Sequence, residues 1–255
     1  DGSKLSEVDD IEPGLQKLGG HYEHASQATV PYTWGTIGLT YNAEQIKQRL
    51  PDAPVNSLDM LFKPELAARF ADCGISVIDS PDEVLAGVLN YLGREPRSAK
   101  PQDLEAASQL LLKLRPYIRK FQSQPVTDLV NGNLCLSLGY SGDMTQAQRT
   151  ADSAGKKSMF QYRIPLEGTT VWMDTMAIPV DARHPEYAYA FINFVMRPQN
   201  MAAISNFTGY PTSNAKARPD VDASMRNNPD IYIDEATYAR LIPGKDIPQA
   251  DMRAR

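Results

Sequence analysis

No run of this sequence approaches the twenty or so consecutive apolar residues that cross a bilayer as a helix, which excludes such a helix from these 255 residues. Positive charge is also in short supply. Lys and Arg number 26 against 31 Asp and Glu, a net charge of −5 with pI ≈ 5.3, so no electrostatic case exists for a nucleic-acid partner. Neither G-x-x-x-x-G-K-S/T nor G-x-G-x-x-G occurs, which removes the common phosphate loops. Histidine appears three times. His21 and His24 flank Glu23, but no apolar support surrounds them, and a solvated loop is a better reading than a metal site. Cysteine appears twice, at Cys73 and Cys135, each beside a predicted strand. Two buried thiols and one disulfide are both open on that count. A disulfide closing so long a loop would stabilise by about 4 kcal/mol on the chain-entropy model, and it would place the protein outside the cytosol.

What is present is ordinary for a globular chain: 42% apolar and 22% charged residues, long enough for one large domain or two lobes. The opening DGSKLSEVDD reads as the middle of a surface loop, and residues 1–29 as polar and irregular. VPYTWGTIGLTYN (30–42) predicts a long strand whose glycines let it bend or approach another backbone. Residues 57–70 read as helix in two pieces divided at Pro64, and 75–79 as a buried strand. Ser80-Pro81-Asp82-Glu83 opens a helix with Ser80 as N-cap and Glu83 completing a capping box. Leu85, Val88, Leu89 and Leu92 are its expected buried stripe. A helix over 102–114 follows, then connecting structure over 117–133. Strands are expected at 159–165 and 170–179, and a helix from Pro185 carries Tyr187, Ala190, Phe191, Phe194 and Val195 on one face. Pro198 opens a shorter helix, and 220–255 reads as a polar tail. Strands and helices alternate, so the class is α/β.

The chemistry gathers at LCLSLGYSGDMTQA (134–147): an apolar strand, a glycine-bounded turn, and a helix with Asp143 near its start. That order presents side chains at the carboxyl edge of an α/β sheet. Gly139-Tyr140-Ser141-Gly142-Asp143 resembles a nucleophile elbow, but Asp143 stands where glycine is needed, and only His184 follows Ser141 as a candidate base. Hydrolysis is rejected, and no catalytic residue is assigned. A second corner, Trp172-Met173-Asp174, pairs an aromatic with a carboxylate in the same way. Desolvating an ammonium is costly unless carboxylates replace its water, and aromatic faces attract it further. Each residue has a duller role open to it: Asp143 as a helix cap, Glu83 as capping-box partner, Trp172 as core. Asp174, inside an apolar strand, is hardest to dismiss. An amino-acid site would need an arginine for the ligand carboxylate, and neither corner has one.

Blocks along the whole chain, VPYTWGTIGLTYN, SPDEVLAGVLNYLG, LLLKLRPYIRKF, LVNGNLCLSLGYSGDMTQA, VWMDTMAIPVDA and the Tyr210 region, resemble in this order the periplasmic polyamine-binding proteins of bacterial ABC importers. The resemblance implies a type II periplasmic-binding fold of two α/β lobes with crossing strands and an interlobe ligand cleft. It assigns residues 1–31 and 161–220 to lobe 1, 32–160 to lobe 2, and 221–255 to a C-terminal segment packing on lobe 2. It places binding carboxylates at Glu83, Asp143 and Asp174, stacking aromatics at Tyr140, Trp172 and Tyr210, and a disulfide at Cys73 and Cys135. The family more often has tryptophan where Tyr140 stands and phenylalanine where Trp172 stands; both substitutes keep a π face. The implied function is capture of putrescine or spermidine in the periplasm for a membrane permease, by a monomer without cofactor or catalysis. The alternative is the same fold binding another small cationic solute, or serving as a sensor. The family also has an N-terminal segment with a Trp-Ser-Asp-Tyr motif that is not found here, so the sequence is expected to be a fragment.

Overall fold

The computed structural model describes residues 4–6, 10–19, 29–156 and 159–244. His21, Glu23 and His24 lie outside the described residues. Among the described residues no group of three or more ligating side chains could hold a metal ion, and no helix is long and apolar enough to cross a membrane.

In chain order the elements are α1 (Pro13–Gly19), β1 (Thr29–Asn42), α2 (Ala43–Arg49), α3 (Asp59–Phe62), α4 (Pro64–Phe70), β2 (Ile75–Val77) and α5 (Pro81–Tyr91). Then come α6 (Pro101–Leu114), β3 (Ile118–Phe121), α7 (Val126–Val130), β4 (Leu136–Tyr140), α8 (Ser141–Ser153), β5 (Phe160–Arg163) and β6 (Thr169–Ala177). The chain continues through α9 (Pro185–Val195), α10 (Pro198–Thr208), α11 (Ala223–Arg226), α12 (Glu235–Tyr238) and β7 (Leu241–Ile242).

Two compact units share these elements. Unit 1 takes the described residues up to Gly35 and Val171–Ala239, and unit 2 takes Thr36–Thr170 and Arg240–Ile242. The chain thus changes unit inside β1 and again inside β6. The divisions expected after residues 31 and 160 fall after 35 and 170 instead. Residues 221–239, expected to pack on the second lobe, belong to unit 1. They are no mere polar tail: Val221, Met225, Ile231, Tyr232 and Ile233 are all buried.

The sheet runs β3-β2-β4-β1-β6-β7, with β5 paired to β1 off this path. β2 is parallel to both β3 and β4, whereas β1 is antiparallel to β4 and β5. Ile37, Leu39 and Tyr41 of β1, Leu136 and Leu138 of β4, and Ile75 and Val77 of β2 are buried. The registers Leu39↔Leu138 and Val77↔Leu138 put them on one face. The other face carries Thr36, Gly38 and Thr40, then Ser137 and Gly139, then Ser76. Phe160 and Tyr162 share that second face and Phe160 packs with Ala147 and Ala151, so α8 covers a surface of small residues. A sheet covered on both sides is what an α/β unit requires.

Local expectations mostly hold where a proline or a strong period fixes them. Lys63 is extended (φ −93, ψ 112), and Pro64 restarts the helix as α4. α5 does begin at Pro81, but Ser80 makes no side-chain cap bond, so the capping box with Glu83 is not formed. Its buried apolar side chains are Val84, Ala86, Val88 and Leu89, with Leu85 and Leu92 only half-buried, a stripe turned from the expected one. The α9 face of Tyr187, Phe191 and Phe194 is 70%, 61% and 54% exposed, and Ile192 is the residue this helix buries. Cys73 and Cys135 form a disulfide with Cα atoms 5.5 Å apart, which decides between the two states left open by the cysteine count.

Candidate functional site

Unit 2 builds its corner at the end of β4. Tyr140 is extended (φ −71, ψ 144) and serves as N-cap of α8, and the helix begins at Ser141. Asp143, in the first turn, accepts the backbone N–H of Tyr140 at 3.2 Å through Oδ2. A carboxylate there also meets the positive end of the helix dipole. Asp143 is only 6% exposed. Burial pushes its carboxyl up to about 7, against the smaller lowering effect of the Tyr140 N–H. No Lys, Arg or His pairs with it among the described residues.

Glu83 comes to the same edge by topology. β2 and β4 are adjacent and parallel, with Val77 opposite Leu138, so the first turns of α5 and α8 both rise from the carboxyl ends of neighbouring strands. Oε2 of Glu83 is buried and has no hydrogen-bond partner among the described residues; the same holds for Oγ of Ser141 and Oγ1 of Thr145. Buried oxygens of this kind are costly unless something bonds to them. Ser141 and Thr145 are one turn apart on α8, a pair not anticipated as functional. The strand-to-helix junction that marked Tyr140 and Asp143 was also the signal for Ser141.

Unit 1 builds the other corner on the outer half of β6. Trp172 and Asp174 are two apart on a strand and share a face. The Trp172 ring meets Tyr210 edge to face, with centroids 4.9 Å apart and planes at 86°. Tyr210 is fixed by its surroundings: Gly209 ends α10 in the left-handed region (φ 83), and the Ser205 hydroxyl donates to Tyr210 O at 2.5 Å. Both rings are half-buried. Asp174 is exposed, which corrects the expectation of a carboxylate enclosed in an apolar strand: β6 is buried at 169–171 and opens beyond. Partial desolvation still raises its pKa, and no ion pair holds it among the described residues.

Of the six expected ligand residues, Glu83, Tyr140 and Asp143 therefore lie in unit 2, and Trp172, Asp174 and Tyr210 in unit 1. His184, the one base a hydrolytic reading had available, is exposed and lies 3.2 Å from Glu186.

The sequence profile described as bacterial extracellular solute-binding protein matches residues 2–231. The putrescine-binding periplasmic protein SpuD of Pseudomonas aeruginosa (strain UCBPP-PA14) is 41% identical over 256 residues, covering 100% of this chain and 70% of the relative. The putrescine-binding periplasmic protein PotF of Escherichia coli (strain K12) is 41% identical over 244 residues, covering 94% of this chain and 66% of its own length. The crystal structure of the spermidine/putrescine ABC transporter substrate-binding protein PotD from Streptococcus pneumoniae superimposes with a TM-score of 0.82 at 27% identity, over 99% of this chain and 73% of that one. The chain spans about two thirds of the length of these relatives.

Proposed function

The chain belongs to the family of bacterial extracellular solute-binding proteins, and from that membership we propose that it binds a linear polyamine of the putrescine or spermidine type. It works in the periplasm, as a monomer without catalysis, and passes the ligand to the permease of an ABC importer. The observation that carries this reading is a buried carboxylate, Asp143, with no cation against it among the described residues. Such a group is suited to receive an ammonium from outside. In unit 1 the half-buried Trp172 and the exposed Asp174 offer a second aromatic-plus-carboxylate set, suited to an ammonium in the same way.

Each unit supports the reading on its own terms. In unit 2, Asp143 and Glu83 supply negative charge, Tyr140 a ring, and the Ser141 hydroxyl a further hydrogen-bonding group. In unit 1, Tyr210 and Trp172 pack edge to face beside Asp174, a pair of π systems of the kind that attracts a cation. Equilibrium dialysis of the full-length protein against labelled putrescine, spermidine and glycine betaine tests the assignment. Saturable binding of the two polyamines, with little of the betaine, is expected. Preference for glycine betaine would point to the alternative cationic solute.

A further inference from the structure

We propose that Gly139 is the positioning residue for the Asp143 carboxylate: the missing side chain at 139 is what lets Oδ2 sit where it does. The inference deepens the reading of Asp143 as an ammonium partner and rests on it. A Cβ at residue 139 would lie 2.9 Å from Asp143 Oδ2 and 3.5 Å from Ser137 Oγ. Oδ2 is also the atom that accepts the Tyr140 N–H. The oxygen that would have to give way is therefore the one on which the local geometry depends.

Gly139 is not needed for its backbone conformation, since it is not among the glycines with positive φ. Its requirement is one of contact. Gly38, directly opposite on β1, makes a useful contrast. A Cβ there would meet Arg163 O at 2.5 Å and the Tyr162 ring at 2.6 Å. That ring is buried, and its hydroxyl is fixed 2.7 Å from Thr36 Oγ1. Backbone and a locked ring cannot move aside, so Gly38 serves the packing of β1 against β5. The tip of an aspartate can rotate about two torsions. A side chain at 139 therefore leaves the sheet standing and displaces the carboxylate. The two glycines of one cross-strand pair have separate duties, one in the fold and one in the site.

The test uses Gly139→Ala, Asp143→Asn and Asp143→Ala in full-length protein, with putrescine as probe. Carbon-detected NMR titration of the Asp143 carboxyl in ligand-free protein reads positioning directly. Because burial is the larger cause of the raised value, displacement in Gly139→Ala should lower the midpoint by about half a pH unit or more. Putrescine affinity should fall about tenfold in Gly139→Ala, losing a charge-assisted contact. In the Asp143→Ala background Gly139→Ala should add nothing, since there is no carboxylate left to displace. An unchanged midpoint, or a full additive loss in that background, overturns the proposal. If Asp143→Asn binds putrescine as wild type does, the ligand role of Asp143 fails, and the NMR midpoint still decides whether Gly139 positions it.

Discussion

The carboxylates of the two corners, one in each unit, are held in opposite ways. Asp143 is buried at the start of a helix, bonded to a backbone N–H, with its carboxyl pushed up to about 7. Asp174 stands exposed on the open half of a strand, beside a ring steadied by a second ring. The first is preorganised, at a cost to the ligand-free fold whenever it is charged. The second costs the fold little and is screened by water. Burial, rather than charge, separates them: an ammonium that meets Asp143 replaces lost solvation, whereas one that meets Asp174 competes with it. If this difference governs binding, the unit 2 corner dominates affinity.

The largest expected effect is on stability, and it should separate the units. The Cys73–Cys135 disulfide lies wholly in unit 2 and closes a loop with a sequence separation of 62. Reducing it should destabilise that unit by about 4 kcal/mol. Trp34 and Trp172 are the chain's two tryptophans, and both lie in unit 1. Denaturation followed by far-ultraviolet circular dichroism should therefore shift more on reduction than the indole emission does. Coincident shifts would mean that the units unfold together and the contrast has no thermodynamic expression.

Next comes Asp143→Asn, which should weaken polyamine binding about a hundredfold or more, as loss of a desolvated charged partner does, measured by calorimetry at pH 8. Its effect on the ligand-free protein should have the opposite sign. The folded carboxyl titrates near 7, whereas an unfolded aspartate titrates near 3.9. Between those values the folded state holds a proton that the unfolded chain has released. Wild-type stability should therefore decline as pH rises from about 4 to above 7. Asn cannot ionise and still accepts the Tyr140 N–H. The variant should be more stable than wild type above pH 7, by at most about 4 kcal/mol, and the gain should vanish near pH 4. Wild-type polyamine affinity should rise with pH through 7, because the cation selects the ionised form. Equal melting temperatures at pH 8, with flat affinity across pH 6 to 8, would remove the distinction drawn for Asp143.

How much of this was legible in the sequence depended on the scale of the signal. β1 announces itself by branched and aromatic residues, and the close approach inferred from its glycines is found at Gly38 against Arg163. Pro64 divides two helices because a ring without N–H must do so. The corner at 134–147 is legible because strand, glycine and acidic first turn are contiguous. Contiguity fails for Glu83. Ser80 and Glu83 have the spacing of a capping box, but spacing says nothing of where Ser80 points, and Oε2 of Glu83 is left buried without that role. Elements of four to seven residues, such as α1, β3 and α7, are too short for a hydrophobic period. The exposure of Asp174 was hidden for another reason: Thr-Val-Trp-Met-Asp reads alike whether or not anything covers its outer end. Likewise Ile231, Tyr232 and Ile233 are three apolar residues among polar neighbours, and their burial depends on distant parts of unit 1.

The smallest expected effect is that of Asp174→Asn, and it tests the ranking most finely. The substitution keeps shape and removes charge from an exposed site, so the fold should not respond. A charge-assisted hydrogen bond contributes roughly 1.5–3 kcal/mol, and solvent at an exposed strand draws the effect toward the lower end. That corresponds to a loss of about tenfold in polyamine affinity, measured by calorimetry on full-length protein. Asp220→Asn is the control, because Asp220 is an exposed carboxylate that belongs to neither corner, and it should change little. Higher ionic strength should narrow the gap between wild type and Asp174→Asn, since Asp174 is open to counterions. The loss from Asp143→Asn should survive the same salt. If Asp174→Asn bound polyamine as tightly as wild type, unit 1 would be contributing ring contacts alone. If it lost more than Asp143→Asn, exposure would not rank the two carboxylates, and the buried one would belong to the fold rather than to the ligand.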